Sequence, residues 1–282
     1  MWQAKAAVRL ASAMAVGFLP AFSLAQNMPT SAPLSTDSAG REGIAAVSSV
    51  FRVICPEQHT YGTGFLHKSR LVITAAHVVD NCSKIVIALP DNKTLVPANV
   101  TKTDERLDLA IIQPSTPLTG NPLSISSVQT LGTGQQISIW GFPVDYLGIP
   151  PMVSVGYISG VDAVKIKTGE MIGQMVVNAA VNHGDSGAPV VLAETGEVVG
   201  VADNKIVPLS DIAVSALAAL TQQQSGFVYT AKLPDGTTKS FSEGQVVAMV
   251  LEELRQQVQL VVGHAILVGD LRAFLQANNI EP

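Results

Sequence analysis

Three polar residues stand where apolar, strand-like sequence meets a turn, and together they could carry out acyl transfer. His77 follows the apolar run LVITAA, and a histidine side chain can take up and return a proton near neutral pH. Asp108 begins the run DLAII, where a carboxylate needs a donor such as an imidazole ring. Ser186, in GDSGAP, supplies a hydroxyl nucleophile. Each residue alone is a weak indication, but a base, an acid and a nucleophile in one chain form a strong one.

Glycines on both sides of Ser186 predict the shape of the loop that carries it. Gly184 and Gly187 allow a tight turn in which backbone N–H groups point at one spot. Such a cluster of donors stabilises the negative oxygen that forms when a hydroxyl attacks a carbonyl. We therefore expect the amides of Gly184, Asp185 and Ser186 to form an oxyanion hole.

Short strands must position these residues. From about residue 44, segments rich in Val and Ile alternate with Gly, Pro, Asn and Asp, which is typical of an all-β barrel or sandwich. The loop PSTPLTGNP divides them into two similar clusters, at about 44–120 and 121–282. Two clusters predict two β-barrel halves with a seam between them.

The blocks TAAHVV, DLAII and GDSGAP resemble the three signature blocks of trypsin-like serine peptidases with the chymotrypsin fold. GTGFL, at residues 62–66, resembles the strand that precedes the histidine block in that family. The resemblance implies two six-stranded antiparallel β-barrels and a C-terminal helix. It also implies a serine endopeptidase in which His77 is the base, Asp108 orients it and Ser186 attacks the peptide bond.

Within that family the chain is most similar to the HtrA/Deg-type branch, through ITAAHVVDN, DERLDLAIIQ, VSVGYISGV and NAAVNHGDSGAPVV. The similarity covers about residues 44–205 and resumes at VVGHAILVGDLRAFL. Two departures are expected: no PDZ domain, and an insertion at about 206–257. The caged chaperone-protease behaviour of that branch therefore does not transfer to this chain.

Asp185 is a further departure, because the HtrA/Deg branch usually has asparagine there. The digestive members of the family have an aspartate that pairs with a new N-terminus freed by cleavage. The motif IVGG is absent here, although Arg41 precedes GIAAV. A solvated or locally hydrogen-bonded Asp185 is the alternative.

Four residues are candidates for substrate binding, all through the resemblance. Ala180, six positions before the serine, corresponds to the base of the primary pocket, and an uncharged floor cannot pair with Arg or Lys. Small or medium apolar side chains are expected there. Asp203, Asn204 and Lys205 align with the strand that receives the substrate backbone. Lys205 would favour acidic residues, or it is simply solvated.

Composition excludes several classes of function. The net charge of -5 argues against a nucleic-acid partner, which usually meets a basic patch. No apolar run reaches the roughly 18–20 residues that cross a bilayer, so no membrane partner is expected after export. The expected partners are protein or peptide substrates, with no cofactor and no metal. The oligomeric state cannot be read from the sequence.

The first 25 residues are typical of a secretory signal peptide. Lys5 and Arg9 precede the apolar run ASAMAVGFLPAFSLA, and Ser23 and Ala25 suit cleavage before Gln26. Residues 26–43 are rich in Ser, Pro, Thr and Gly and are interpreted as a flexible leader. The peptidase domain is expected at 44–282, in a periplasmic or secreted protein.

Export also favours a disulfide between Cys55 and Cys82, the only two cysteines. The alternative is a metal site that adds His59 and His77, although neither half has the usual ligand spacing.

The insertion is predicted to contain two helices and a hairpin. SDIAVSALAALTQQQ is helical, with Ser210 or Asp211 as cap, and FVYTAKLPDGTTKSF is a hairpin. Ser242 and Gln245 form a capping box at the start of the second helix. One apolar face follows. It comprises Val246, Val247, Val250, Leu251 and Leu254.

A second function class remains open from the sequence. A barrel can keep its three catalytic residue types and still act only as a latent binding or scaffold module. The presence of all three favours the enzyme.

Overall fold

A computed structural model describes residues 48–282, apart from 90, 92, 129, 145, 147, 149, 167, 206–210, 223–225, 233–235 and 258–260. The predicted signal peptide and leader lie outside the described residues. In the described part, no helix is long and apolar enough to cross a bilayer.

The described part of the chain contains fourteen strands and four helices. The strands are β1 Val50–Cys55, β2 Thr60–Leu66, β3 Val72–Ala75, β4 Ile85–Ala88, β5 Leu95–Asp104, β6 Leu109–Pro114, β7 Gln136–Gly141, β8 Met152–Lys165, β9 Met171–Val177, β10 Pro189–Leu192, β11 Val198–Lys205, β12 Val228–Lys232, β13 Thr238–Ser242 and β14 Gly263–Leu267. The helices are α1 Ala76–Val79, α2 Asp211–Gln222, α3 Glu243–Gln257 and α4 Val268–Ala277.

Twelve of these strands form two closed six-stranded antiparallel barrels. The first has the strand order β1-β2-β3-β6-β5-β4, and the second has the order β10-β11-β14-β9-β8-β7. Closure pairs every strand on both sides and leaves no exposed edge in either barrel. The predicted fold class, an all-β double barrel with a C-terminal helix and an α/β insertion, is confirmed.

The two barrels share an apolar core along their seam. Phe65 and Ile111 of the first barrel and Val201 and Ile266 of the second belong to one buried cluster, and each is at most 2% exposed. Helix α4 adds four buried side chains to it. They are Val268, Leu271, Phe274 and Leu275. Burial of a side chain of this size contributes roughly 1.5–3 kcal/mol, so the seam is a strongly stabilised frame for residues at its rim.

A disulfide closes the segment that carries β2, β3 and α1. Cys55, at the end of β1, is bonded to Cys82, three residues after α1, with 5.9 Å between their Cα atoms. The predicted pairing is therefore confirmed. Because both sulfurs are in the S–S bond, neither serves as a thiolate ligand in the alternative metal site with His59 and His77.

The segment between β11 and β14, Val207–Val258, belongs to a compact unit separate from the one that contains the barrels. It contains α2, the β12–β13 hairpin and α3, as the sequence predicts. The capping box is present: the Ser242 N–H donates to Gln245 Oε1 at 3.0 Å, and the Gln245 N–H donates to Ser242 Oγ at 3.3 Å. Much of the predicted apolar face of α3 is exposed. Its exposed members are Val247, Val250, Leu251 and Leu254.

Candidate active site

His77 and Asp108 are joined by two hydrogen bonds at the rim of the first barrel. The Asp108 carboxylate accepts from the ring Nδ1 of His77 at 2.5 Å and from the backbone N–H of His77 at 2.8 Å. One oxygen is used for each bond, so the carboxylate fixes both the place and the rotation of the ring. A proton held on Nδ1 leaves Nε2 as the basic nitrogen of a neutral imidazole.

The backbone around Asp108 fits it to this position. Asp108 ends the turn between β5 and β6 with φ of 55°, in the left-handed region, where aspartate is one of the better tolerated residues. Its carbonyl oxygen accepts from the N–H of Ala76 at 3.0 Å, at the first residue of α1. Asp108 is therefore bonded to α1 through its carbonyl and through both carboxylate oxygens.

Ser186 lies on the loop between β9 and β10, and this loop is tied to the first barrel. The carbonyl oxygen of Ser186 accepts from the N–H of Thr63, in β2, at 2.8 Å. Gly187 has φ of 86°, and a Cβ there would overlap the carbonyl oxygen of Thr63. The close approach of the loop to β2 therefore requires glycine at position 187.

Hydrogen bonds of the same loop fix the orientation of two of its peptide groups. The His183 carbonyl accepts from the Val144 N–H at 2.7 Å, and the Asp185 carbonyl accepts from the Ala188 N–H at 2.8 Å. In a trans peptide the N–H points opposite to the carbonyl, so the N–H groups of Gly184 and Ser186 point away from those partners. Within the described residues neither amide has an acceptor. This arrangement fits an oxyanion hole with two donors.

The amide of Asp185 does not belong with these two, which corrects the expectation from the sequence. Its N–H donates to the Asn182 carbonyl at 3.0 Å. The carbonyl on the other side of that peptide, of Gly184, is held by Thr63 Oγ1 at 2.7 Å. The 184–185 peptide is thus fixed with its N–H turned into the loop.

The side chain of Asp185 is buried and locally bonded. It is 3% exposed, and its Oδ2 accepts from the Asn182 N–H at 2.9 Å. Burial raises the pKa of Asp185 to about 7, and the Asn182 hydrogen bond only partly opposes that rise. No cationic side chain among the described residues forms an ion pair with it. Of the two roles considered for Asp185, a pair with a new N-terminus or a local hydrogen bond, the structure contains the local hydrogen bond.

Thr63 is a site residue that the sequence analysis does not single out. Its hydroxyl donates to the Gly184 carbonyl and accepts from the Phe142 N–H at 3.0 Å, and its side chain is fully buried. It therefore joins β2 of the first barrel to two segments of the second. A buried hydroxyl residue between two glycines, in GTGFL, is the only signal of this role in the sequence.

Arg52 supports the segment around Phe142, which lies beside the loop that carries Ser186. Its guanidinium lies 4.9 Å from the centroid of the Phe142 ring and 5.6 Å from that of Tyr61, and it donates to the Tyr146 carbonyl at 2.7 Å. Burial lowers the pKa of Arg52. Cation–π contacts between partly desolvated groups contribute about 1–2 kcal/mol, so Arg52 helps hold Phe142 next to Gly184.

Asp203 lies among the catalytic candidates. The hydroxyl of Ser186 donates to the Asp203 backbone carbonyl at 2.8 Å. The Asp203 carboxyl is buried and accepts from Gln174 Nε2, on β9, at 2.7 Å. One ring nitrogen of His77, one carboxylate oxygen of Asp108 and one of Asp203 all lie within 4.8 Å of one another. The structure therefore brings together four residues, where the sequence predicts three.

The remaining predicted binding residues lie on the second barrel. Ala180 is half-buried and lies in the segment that joins β9 to β10, six residues before Ser186. Asn204 and Lys205 lie in β11, paired with His264 and Gly263 of β14. Their side chains lie outside the described part of the structure, so the expected preference of Lys205 for acidic residues is untested.

A sequence model of the trypsin-like peptidase domain matches residues 62–201, from β2 to β11. This range includes His77, Asp108 and Ser186. Residues 62–201 belong to the trypsin-like peptidase family. The resemblance seen in the sequence is thereby confirmed.

Curated relatives of this trypsin-like peptidase include HtrA/Deg-type proteases. The putative serine protease HhoA of Synechocystis sp. is 33% identical over 147 residues, which are 50% of this chain and 36% of HhoA. The periplasmic serine endoprotease DegP of Salmonella typhimurium is 29% identical over 130 residues, 46% of this chain and 26% of DegP. The chain spans about a quarter to a third of the length of these two relatives.

Solved structures of the family share the fold of this chain. The Rv3671c protease of M. tuberculosis in its active form has a TM-score of 0.55 at 19% identity, over 87% of each chain. A serine-to-alanine variant of the HtrA-type protease AlgW, solved with a tripeptide, has a TM-score of 0.56 at 17% identity, over 84% of this chain and 62% of that one. Similarity at this level of identity establishes the common fold.

Proposed function

We propose that this protein is a serine endopeptidase that hydrolyses peptide bonds through His77, Asp108 and Ser186. The observation that carries the proposal is a doubly bonded His77–Asp108 unit together with a Ser186 loop in which the amides of Gly184 and Ser186 have no acceptor among the described residues. In a trypsin-like domain, this pair supplies the base, and this loop supplies the nucleophile and the oxyanion donors of one acyl-transfer site.

Each residue has a distinct part in the proposed reaction. Neutral His77 takes the hydroxyl proton of Ser186 as its oxygen attacks the peptide carbonyl, and then gives that proton to the leaving amine. Asp108 holds the tautomer and stabilises the imidazolium. The amides of Gly184 and Ser186 stabilise the negative oxygen of the tetrahedral intermediate. Water then attacks the acyl-enzyme by the same steps and frees Ser186.

The Ser186 hydroxyl is bonded to the Asp203 carbonyl, so it must turn before it attacks. The turn is a rotation about one side-chain bond, and such rotamer changes take picoseconds to nanoseconds at accessible sites. This is far faster than a typical turnover of roughly 10 per second. The resting hydrogen bond is therefore compatible with catalysis. It is also the one observation that favours the alternative, a latent binding or scaffold module.

Labelling with a fluorophosphonate probe distinguishes these two functions. The wild type, Ser186→Ala and the exposed-serine control Ser124→Ala are incubated with the probe, and separately with unfolded casein. We expect labelling and cleavage by the wild type and the control, and neither by Ser186→Ala. A folded wild type that takes up no probe and cleaves no casein would refute the enzyme and leave the latent module.

For substrate preference we propose small or medium apolar residues on the acyl side of the cleaved bond. The uncharged Ala180 at the expected base of the primary pocket supports this, because no carboxylate there can pair with Arg or Lys. Profiling with a mixed peptide library measures the preference. Predominant cleavage after Arg or Lys would show that the pocket is assigned wrongly.

We further propose that the protein is exported and acts in the periplasm or outside the cell. The pattern of residues 1–25, the Cys55–Cys82 disulfide and the periplasmic name of the DegP relative support this. N-terminal sequencing of the protein from an extracytoplasmic fraction tests it, with Gln26 expected as the first residue. Recovery of an unprocessed chain from the cytosol would contradict it.

A further inference from the structure

Asp203 places a second carboxyl group beside the His77–Asp108 pair. Its side chain is 7% exposed, and it lies on β11 where the pairing with β14 shifts register between Ala202 and Asn204. The shift adds one residue to β11, and such a bulge re-aims the side chain at that position. One of its carboxylate oxygens lies within 4.8 Å of a ring nitrogen of His77 and of a carboxylate oxygen of Asp108.

Two buried or half-buried carboxylates at this distance repel each other strongly unless a proton lies between them. Among the described side chains, the groups that face Asp203 do not neutralise a second negative charge. Gln174, from β9, is neutral and donates one hydrogen bond to Oδ2. On β14, His264 lies 3.7 Å from Asp162 of β8, which is its own acidic partner. Within the described part of the chain, His77 is the remaining titratable group beside Asp203, and its ring is bonded to Asp108.

Burial and the neighbouring charge of Asp108 raise the pKa of Asp203 to about 6. The Gln174 hydrogen bond and His77 act in the opposite direction and are smaller effects. A proton is therefore retained at this carboxyl pair at a pH where an ordinary aspartate has lost it.

We propose that Asp203 is a positioning residue of the active site, which holds a proton between its own carboxyl group and that of Asp108 and thereby fixes the His77–Asp108 pair. Oδ2 of Asp203 accepts from Gln174, which leaves Oδ1 to carry the proton. Each Asp108 oxygen accepts one bond from His77 and has a second lone pair for this donor. The backbone carbonyl of Asp203 accepts the hydrogen bond from the Ser186 hydroxyl.

The shared proton also sets the basicity of His77. While it is present, the two carboxyl groups carry one negative charge between them. When it leaves as the pH rises, they carry two, and the imidazolium form of His77 is stabilised further. The proton on His77 is then lost at a higher pH than it would be beside Asp108 alone. The two titrations are coupled and take place in two macroscopic steps.

Asp203→Asn separates this role from simple packing. An asparagine has nearly the same shape and can still donate an N–H to Asp108, but it never takes a negative charge. In wild type and variant, the His77 titration is followed by NMR of 15N-labelled histidine, and the signal is assigned by its loss in His77→Gln. We expect the His77 pKa to be lower in Asp203→Asn, by about one unit, and its titration to be a single step. Superimposable curves would overturn the proposal.

Peptide hydrolysis gives the second readout. The inference rests on the proposed endopeptidase function, but the NMR titration decides it even for a protein that hydrolyses nothing. In an active enzyme, we expect the acid limb of the kcat/KM profile to move to lower pH in Asp203→Asn, because the neutral form of His77 is then populated at lower pH. Asp203→Ala removes the donor to Asp108, and at about pH 6, where the wild type still holds the shared proton in part, we expect kcat to fall roughly 10–100-fold below that of Asp203→Asn, with little change in KM. Equal losses of kcat in the two variants would overturn proton sharing.

Discussion

Replacing Asp185 by asparagine should remove a pH-dependent cost of folding that is built into the serine loop. The carboxyl group is buried, accepts one hydrogen bond from the Asn182 N–H, and its pKa is raised from 3.8 to about 7. In the unfolded chain it ionises near its ordinary value. Between about pH 4 and 7, the folded protein therefore holds a proton that the unfolded chain has released.

The sign and size of the effect follow from this difference. Because the folded state binds more protons, stability falls as the pH rises through this window and is constant, for this group, below and above it. Each pKa unit corresponds to about 1.4 kcal/mol, so the wild type loses about 4 kcal/mol relative to Asp185→Asn between pH 4 and pH 8. The asparagine Oδ1 can still accept from Asn182, so the local hydrogen bond is kept.

Urea unfolding at half-unit steps from pH 4 to pH 8 measures the difference. The free energies of unfolding of the wild type, Asp185→Asn and the exposed-aspartate control Asp80→Asn are compared at each pH. The quantity of interest is the change in the wild-type-minus-variant difference, in which all other titrating groups cancel. Parallel curves for wild type and Asp185→Asn would refute the reasoning, because they require a charged and well-paired Asp185.

Other substitutions test the site and its frame. Asp108→Asn should lower kcat about 10⁴-fold in peptide hydrolysis, because the amide no longer holds His77 in the required tautomer. Thr63→Val leaves two buried partners of the hydroxyl unpaired and should cost about 2–4 kcal/mol in urea unfolding, whereas Thr63→Ser should cost much less. Exchange of Cys55 and Cys82 for serine opens a loop of 27 residues and should cost about 3–4 kcal/mol. An unchanged activity or midpoint in any of these would contradict the assigned contact.

The sequence singles out His77, Asp108 and Ser186 because each is defined by its immediate neighbours. Apolar strands precede His77 and follow Asp108, and glycines flank Ser186. The barrels are predictable for a related reason, since the strands are short, rich in Val and Ile, and separated by turn residues. The cysteines allow only one pair within the chain. Local pattern, residue type and family resemblance are sufficient for these features.

Contacts between distant segments could not be predicted in this way. The partners of the Thr63 hydroxyl lie 121 and 79 positions away, so nothing near it in the chain indicates them. Asp203 was expected on the substrate strand, but its carboxyl lies beside Asp108 because of a register shift that depends on strand pairing. The amide of Asp185 turns away because Asn182 and Thr63 fix the neighbouring peptides. These outcomes depend on tertiary packing.

The division of the site between the barrels has a consequence for separated halves of the protein. The first barrel carries His77, Asp108 and Thr63, and the second carries Ser186 with the loop that Thr63 anchors. A fragment that ends between the barrels has either the proposed base or the proposed nucleophile, and in neither fragment is the Ser186 loop bonded to β2. Two such halves fused to interacting proteins would regain hydrolysis only on association. The connection between the two barrels is thus a suitable place to divide the chain for a split reporter of protein–protein contact.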